Sequence, residues 1–259
     1  MPFADTAGQR LEKKLNARVS ARWEVLNFGV SNYGLGQFLL AWQQHARDYQ
    51  PDVVTVMLAQ IHLLRTLDRH EAGAFAATAG RQLALRPTFE LVGERLLSRP
   101  AADTAAFAAA QDALIANEFD GGRSRRKQVP FLLPLFAREL FAAARGSEPA
   151  ATTAPVLQPA QYEVLFDINL RILAELARDA RERGAQLIVA NASAYFGDPP
   201  LVAERLNAFC AAERVTCIPF ADDLAALNAT GIDTRWPHDG HFNVAGNEAL
   251  AAALGRAID

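Results

Sequence analysis

The stretch QYEVLFDINLRILAELARDARERGAQLIVAN, residues 161–191, decides the fold class. Its first part places apolar residues at helical spacing through Leu165, Ile172, Leu173 and Leu176, with charges on the opposite side. That pattern predicts a long amphipathic helix over 161–183, and Gly184 fits its C-terminal cap. AQLIVAN (185–191) follows as a near-continuous apolar run, the signature of a strand buried on both faces. Working outward, VVTVML (53–58) reads as a second buried strand, WEVLNF (23–28) as a short apolar one and VTCIPF (215–220) as another. Helices are predicted over 7–20, 35–48 and 199–213, with a short one from Asp222 to Leu227. A final helix, VAGNEALAAALGRAI, starts behind an Asn243 cap. Alternating strands and helices predict a three-layer α/β sandwich, an open parallel sheet with helices on both faces. Ligands bind such sheets at the carboxyl ends of the strands. The loops of interest are therefore 29–36, 59–67, 191–200 and 233–243.

Residues 70–160 break this rhythm. They are Ala-rich and interrupted by Gly73, Pro87, Gly93, Pro100 and Gly121-Gly122, and SEPAATTAPVLQP reads as a loop. A partly helical insertion within a single domain spanning 1–259 is expected. The basic run Arg123, Arg125, Arg126, Lys127 beside VPFLLPLF reads as a solvated cluster flanking a packed segment. A lipid-facing or acidic-polymer surface and a hydrophobic lid are the alternatives.

Composition narrows the function classes. The 259 residues are 51% hydrophobic and 21% charged, with a formal net charge of -3. A nucleic-acid partner is not expected without a basic excess. No apolar run approaches the roughly 20 residues of a membrane span, so no integral membrane segment is expected. The start, MPFADTAGQRLEKK, lacks the order of a signal peptide. Cys210 and Cys217 form no CxxC or Cys/His cluster, so no metal is expected, and they read as buried free thiols.

Two segments could carry chemistry. In RWPHDGHFNVAGNEAL (235–250), Asp239 and His241 stand in a loop directly before a helix. A carboxylate that fixes an imidazole's tautomer suits general-base work near neutral pH. A plain turn with an N-cap behind it accounts for the same residues. In VLNFGVSNYGLGQ (25–37), glycines after a strand let backbone N–H groups approach an oxyanion, though a tight strand-to-helix turn is the simpler reading. Ser31 and Ser193 lie in loops on the plausible side of the sheet, but no spacing places either beside His241.

In combination these segments resemble the SGNH (GDSL-type) hydrolases. VLNFGVSNYG is similar to that family's N-x-G-V-S-G block, and QPDVVTVMLAQIH to a strand running into a G-x-N-D turn. DGHFNVAGNEAL, the most specific match, resembles the closing Asp-x-His block. The resemblance implies a flavodoxin-like sheet and a cofactor-free Ser-His-Asp ester hydrolase or acyltransferase. An acylated carbohydrate or lipid would be the substrate. His241 would be the general base and Asp239 its orienting carboxylate. The oxyanion hole would fall on the N–H of Asn32, where the family has glycine, and on His62, where it has asparagine. Leu63 replaces the family's next aspartate.

The family's Gly-Asp-Ser nucleophile turn is absent from the sequence. PFADTAGQRLEKKL resembles the stretch that follows that turn, so the expected fold lacks its first, central strand. The chain alone is then expected to be inactive, and segments 23–28 and 53–58 should stand two strand spacings apart or pair anew. A late start site, a truncation and an evolved loss all produce this pattern. Relatives are often exported, and any export signal would precede Met1. The second function class that fits is a non-catalytic module binding an acylated carbohydrate or lipid.

Overall fold

The computed structural model describes residues 2–18, 22–30, 33–67, 70–72, 83–85, 87–99, 157–237 and 240–258. The chain divides into two compact units, one of residues 1–65 and 153–259 and one of residues 66–152. The first holds a mixed α/β fold around a three-stranded parallel sheet of β1 (Val53–Leu58), β6 (Gln186–Asn191) and β7 (Thr216–Ile218), in the order β1-β6-β7. Register runs from Val53 opposite Gln186 to Leu58 opposite Asn191, and from Ile188 opposite Thr216 to Ala190 opposite Ile218.

β6 is the central strand, buried from Leu187 to Asn191. Successive residues of a strand face opposite sides. Ile188 and Ala190 meet α1 (Ala7–Arg18) and α7 (Val244–Ile258) through Leu11, Leu15, Ala251 and Leu254. The intervening Leu187 and Val189 are buried on the other face, where α4 (Pro159–Glu182) packs on the strand. α4 buries Leu165, Phe166, Ile172, Leu173 and Leu176, the residues that its 3.6-residue period brings onto one side. Each fully buried Leu or Ile contributes about 1.5–3 kcal/mol relative to exposure. Gly184 ends the helix at φ +80°, with Ala185 N–H donating to Ala180 O and Gly184 N–H to Arg181 O.

The remaining helices of this unit are α2 (Leu35–Gln44), α3 (Gln60–Leu67, which runs into the second unit), α5 (Pro200–Glu213) and α6 (Phe220–Ala229). The helix expected over 35–48 stops at Gln44, and a 3-10 turn covers Ala46–Tyr49. No helix among the described residues is long and apolar enough to cross a membrane.

Two expectations are corrected. Residues 23–28 form no ladder. Trp23 and Val25 pack against the core, and Leu26 and Phe28 are exposed, as is Val30 beyond them. In place of a neighbouring strand, α1 supplies side chains. The Asn16 amide accepts from Trp23 N–H at 2.8 Å and donates to Trp23 O at 2.9 Å, and Glu12 accepts from Val25 N–H at 2.8 Å. Among the described residues the outer edge of β1 has no strand partner either. Apolar content made 23–28 read as a strand, but a strand exists only with a partner to take its backbone groups.

The described residues of the expected insertion form two antiparallel strand pairs, β2 (His70–Ala72) with β3 (Leu83–Leu85) and β4 (Thr88–Val92) with β5 (Arg95–Arg99). Gly93 makes the two-residue β4–β5 turn at φ +62°. Residues 100–156, including the basic run, lie outside the described residues.

The second correction concerns Cys210 in the last turn of α5 and Cys217 in β7, which are joined as a disulfide with Cα atoms 5.8 Å apart and are not free thiols. The turn between them folds α5 back onto the sheet and brings the two sulfurs together, which sequence spacing does not show.

Two predictions follow from this packing. A Cβ added at Gly246 would collide with Thr234 O and lie 2.9 Å from Phe242 Cβ. Gly246→Ala should therefore lower unfolding free energy by about 1–3 kcal/mol in denaturant titration. Replacing both cysteines by serine should cost about 2–3 kcal/mol, the loop-closure entropy of so short a bridge. The wild-type chain, denatured without reductant, should take up no iodoacetamide.

Candidate functional site

The carboxyl ends of β1 and β6 lead into two adjoining turns. Ala192 N–H donates to Leu58 O at 2.9 Å, so the strands stay paired to their last residues. One residue, Ala59, separates β1 from α3. The first peptide N–H groups of a helix have no intrahelical partner, and here side chains take two consecutive ones. Ala59 N–H donates to His62 Nδ1 at 3.1 Å, and Gln60 N–H donates to Asp198 Oδ2 at 2.5 Å. The fully buried Gln60 side chain accepts from Tyr162 OH at 3.2 Å. Asn169 on α4 donates to Leu63 O at 3.1 Å and Leu165 O at 2.8 Å, clamping α3 to α4.

Burial sets the electrostatics of this corner. His62 is half-buried, with its ring 5.8 Å from that of Phe38. Burial first, and the Arg65 charge second, lower its pKa to about 4. The imidazole is thus neutral near pH 7. Nδ1 can accept from Ala59 only when unprotonated, so Nε2 bears the ring proton. Asp198 moves the other way. Burial pushes its carboxyl up to about 6, against the opposing hydrogen bond from Gln60.

The described residues of the loop before α7 are held by several contacts. Arg235 and Phe242 form an isolated antiparallel bridge, Trp236 N–H donates to His241 O at 2.8 Å, and Gly240 closes the turn at φ +72°. Asn243 caps α7 as predicted, accepting from Ala245 N–H at 2.8 Å and Gly246 N–H at 3.1 Å. Its amide nitrogen also donates to Asp233 O and Arg235 O. A second set of contacts fastens this loop to the turn after β6. Arg235 donates to Tyr195 O at 3.2 Å with its guanidinium 4.2 Å from the Tyr195 ring, and Tyr195 OH meets Thr234 Oγ1. Phe242 packs on Tyr195, Phe196 and Phe220.

Of the four residues expected to form the site, His62 and His241 are described. His62 follows β1, and the exposed His241 stands on the loop held against the turn after β6. Both therefore belong to the carboxyl end of the sheet. Asp239, Asn32, Ser31 and His238 lie outside the described residues. Ser193 is fully buried and its Oγ has no hydrogen-bond partner, which disfavours it as a group that meets substrate. Among the described residues no group of His, Cys, Asp and Glu is disposed to hold a metal. Sequence reading missed Gln60, Asp198, Tyr162 and the Arg235 clamp. Asp198 had one signal, its place in the Gly-Asp-Pro-Pro turn after a buried strand.

No protein-family model matches the chain, and neither does any curated protein or solved structure.

The opposed shifts of His62 and Asp198 make a pH prediction. His62, lowered on folding, contributes stability above about pH 6.5 that is lost as pH falls through about 4. Asp198, raised on folding, contributes stability below about pH 4 that is lost as pH rises through about 6. Between these limits the two slopes oppose. Relative to wild type, Asp198→Asn should lose stability faster on acidification from pH 6 to pH 4, and His62→Asn more slowly. Each difference is bounded by about 1.4 kcal/mol per pH unit, and urea titrations at several pH values measure it.

Proposed function

We propose that this chain is an SGNH (GDSL-type) ester hydrolase or acyltransferase for an acylated carbohydrate or lipid. Its nucleophile would come from a strand outside residues 1–259. One observation carries the reading. The loop bearing His241 is tied to the turn after β6 by Arg235, at the same end of a parallel sheet as His62. Candidate base and candidate oxyanion donor thus occupy the position where α/β sheets place their ligands. The outer edge of β1, without a strand partner among the described residues, and the ladder-free segment 22–30 fit a sheet that receives one more strand there.

In this mechanism the serine Oγ attacks the acyl carbonyl while His241 takes its proton, and Asp239 holds the imidazole in the required tautomer. The Asn32 N–H and the proton-bearing Nε2 of His62 stabilise the oxyanion. A His62 neutral near pH 7 suits that role, because it donates one hydrogen bond without adding a charge. His241 then protonates the leaving alcohol, and water or an acceptor alcohol releases the acyl group.

The absent Gly-Asp-Ser turn also supports a second reading, a binding module with the same fold and no turnover. Ester cleavage separates the two. Residues 1–259 alone should leave short-chain p-nitrophenyl esters intact. A chain extended by an apolar strand ending in Gly-Asp-Ser should cleave them, and His241→Ala in that chain should reduce kcat by roughly 10³–10⁴-fold. A folded extended chain that stays inert would leave only the binding reading.

A further inference from the structure

Asp198 is the one buried carboxylate at the carboxyl end of the described sheet, and the catalytic scheme above does not use it. It is held in the turn after β6, where its own N–H donates to Ser193 O at 3.1 Å, and it reaches across to the start of α3. Consecutive peptides there have separate partners. The Ala59 N–H goes to His62 Nδ1, and the next N–H, of Gln60, goes to Asp198 Oδ2. Two adjacent peptide planes share one set of backbone dihedrals, so fixing the second restricts the first. Tyr162 OH on the Gln60 side chain anchors the same residue from α4.

We propose that Asp198 is a positioning residue for His62. Through the Gln60 N–H its carboxylate holds the β1–α3 turn in the geometry in which the Ala59 N–H meets the imidazole. A charge-assisted hydrogen bond of 2.5 Å to a buried acceptor is strong enough for this task. A bond to the first turn of a helix also uses the favourable end of its dipole. The role rests on His62 serving as the oxyanion donor, but the geometry can be tested on the imidazole itself.

The test is long-range ¹H–¹⁵N NMR of the histidine side chains in the full chain. Wild-type His62 should show the Nε2–H tautomer and titrate near pH 4. In Asp198→Ala, checked for folding by circular dichroism, it should show mixed tautomers, because the Ala59 N–H is no longer held against Nδ1. A folded Asp198→Ala that keeps the wild-type tautomer overturns the proposal. If that variant does not fold, the isosteric Asp198→Asn decides, because a neutral acceptor weakens the bond. Amide exchange should then rise roughly tenfold or more at both Gln60 and Ala59. A rise at Gln60 alone, or none at either, overturns it. Ester turnover enters neither measurement, so a failure here is separable from a failure of the enzyme reading.

Discussion

The described part of the α/β unit depends on one strand being hydrogen-bonded along both edges and buried on both faces. β6 takes β1 on one side and β7 on the other, and its residues 187–191 are closed to solvent. A parallel strand so placed leaves its backbone groups no access to water, so each needs a partner in the sheet. Helices must then cover both faces. α1 and α7 meet Ile188 and Ala190, and α4 packs on the face formed by Leu187 and Val189. The ends of the same strands also fix where chemistry can occur, because loop residues are presented only where strands stop.

Ion pairing at the surface adds to this frame without creating it. Glu248 on α7 bonds both Arg10 and Lys14 of α1, at 2.6 and 2.5 Å, and those cations hold its carboxyl below the usual range. The groups are partly exposed, so the pairs contribute little beside the apolar contact of Leu11 and Leu15 beneath them. They fix the register of two helices that hydrophobic burial has already brought together.

Much of the fold was legible because periodicity is a local signal. The helix over 159–182, its Gly184 cap, strand 53–58 and the Asn243 cap are each encoded within about twenty consecutive residues. Failures occurred where the deciding partner lies elsewhere. Residues 23–28 carry strand composition, but their backbone is met by Asn16 and Glu12 of a helix. Cys210 and Cys217 read as thiols because their pairing depends on the turn of the chain between them. The candidate site divides in the same way. His62 and His241 were visible as histidines after a strand and before a helix. The partnership of Asp198 with Gln60 spans 138 positions and leaves no local pattern.

That long-range bond gives the corner its chemical character. Burial penalises the charged form of every group it encloses, so it lowers a base and raises an acid together. At His62 and Asp198 this inverts the ordinary order of the two titrations, the imidazole falling to about 4 and the carboxyl rising to about 6. The imidazole stays neutral and can donate through Nε2, while the Gln60 N–H favours the charged form of the carboxylate against its burial. An exposed histidine in the same turn would acquire a proton on mild acidification and release the Ala59 N–H. Burial, with the Phe38 ring of α2 5.8 Å away, instead keeps the imidazole neutral across the neutral range, and the Ala59 N–H fixes its tautomer. The polar residues of this corner thus serve the histidine by keeping its surroundings dry, satisfied and fixed.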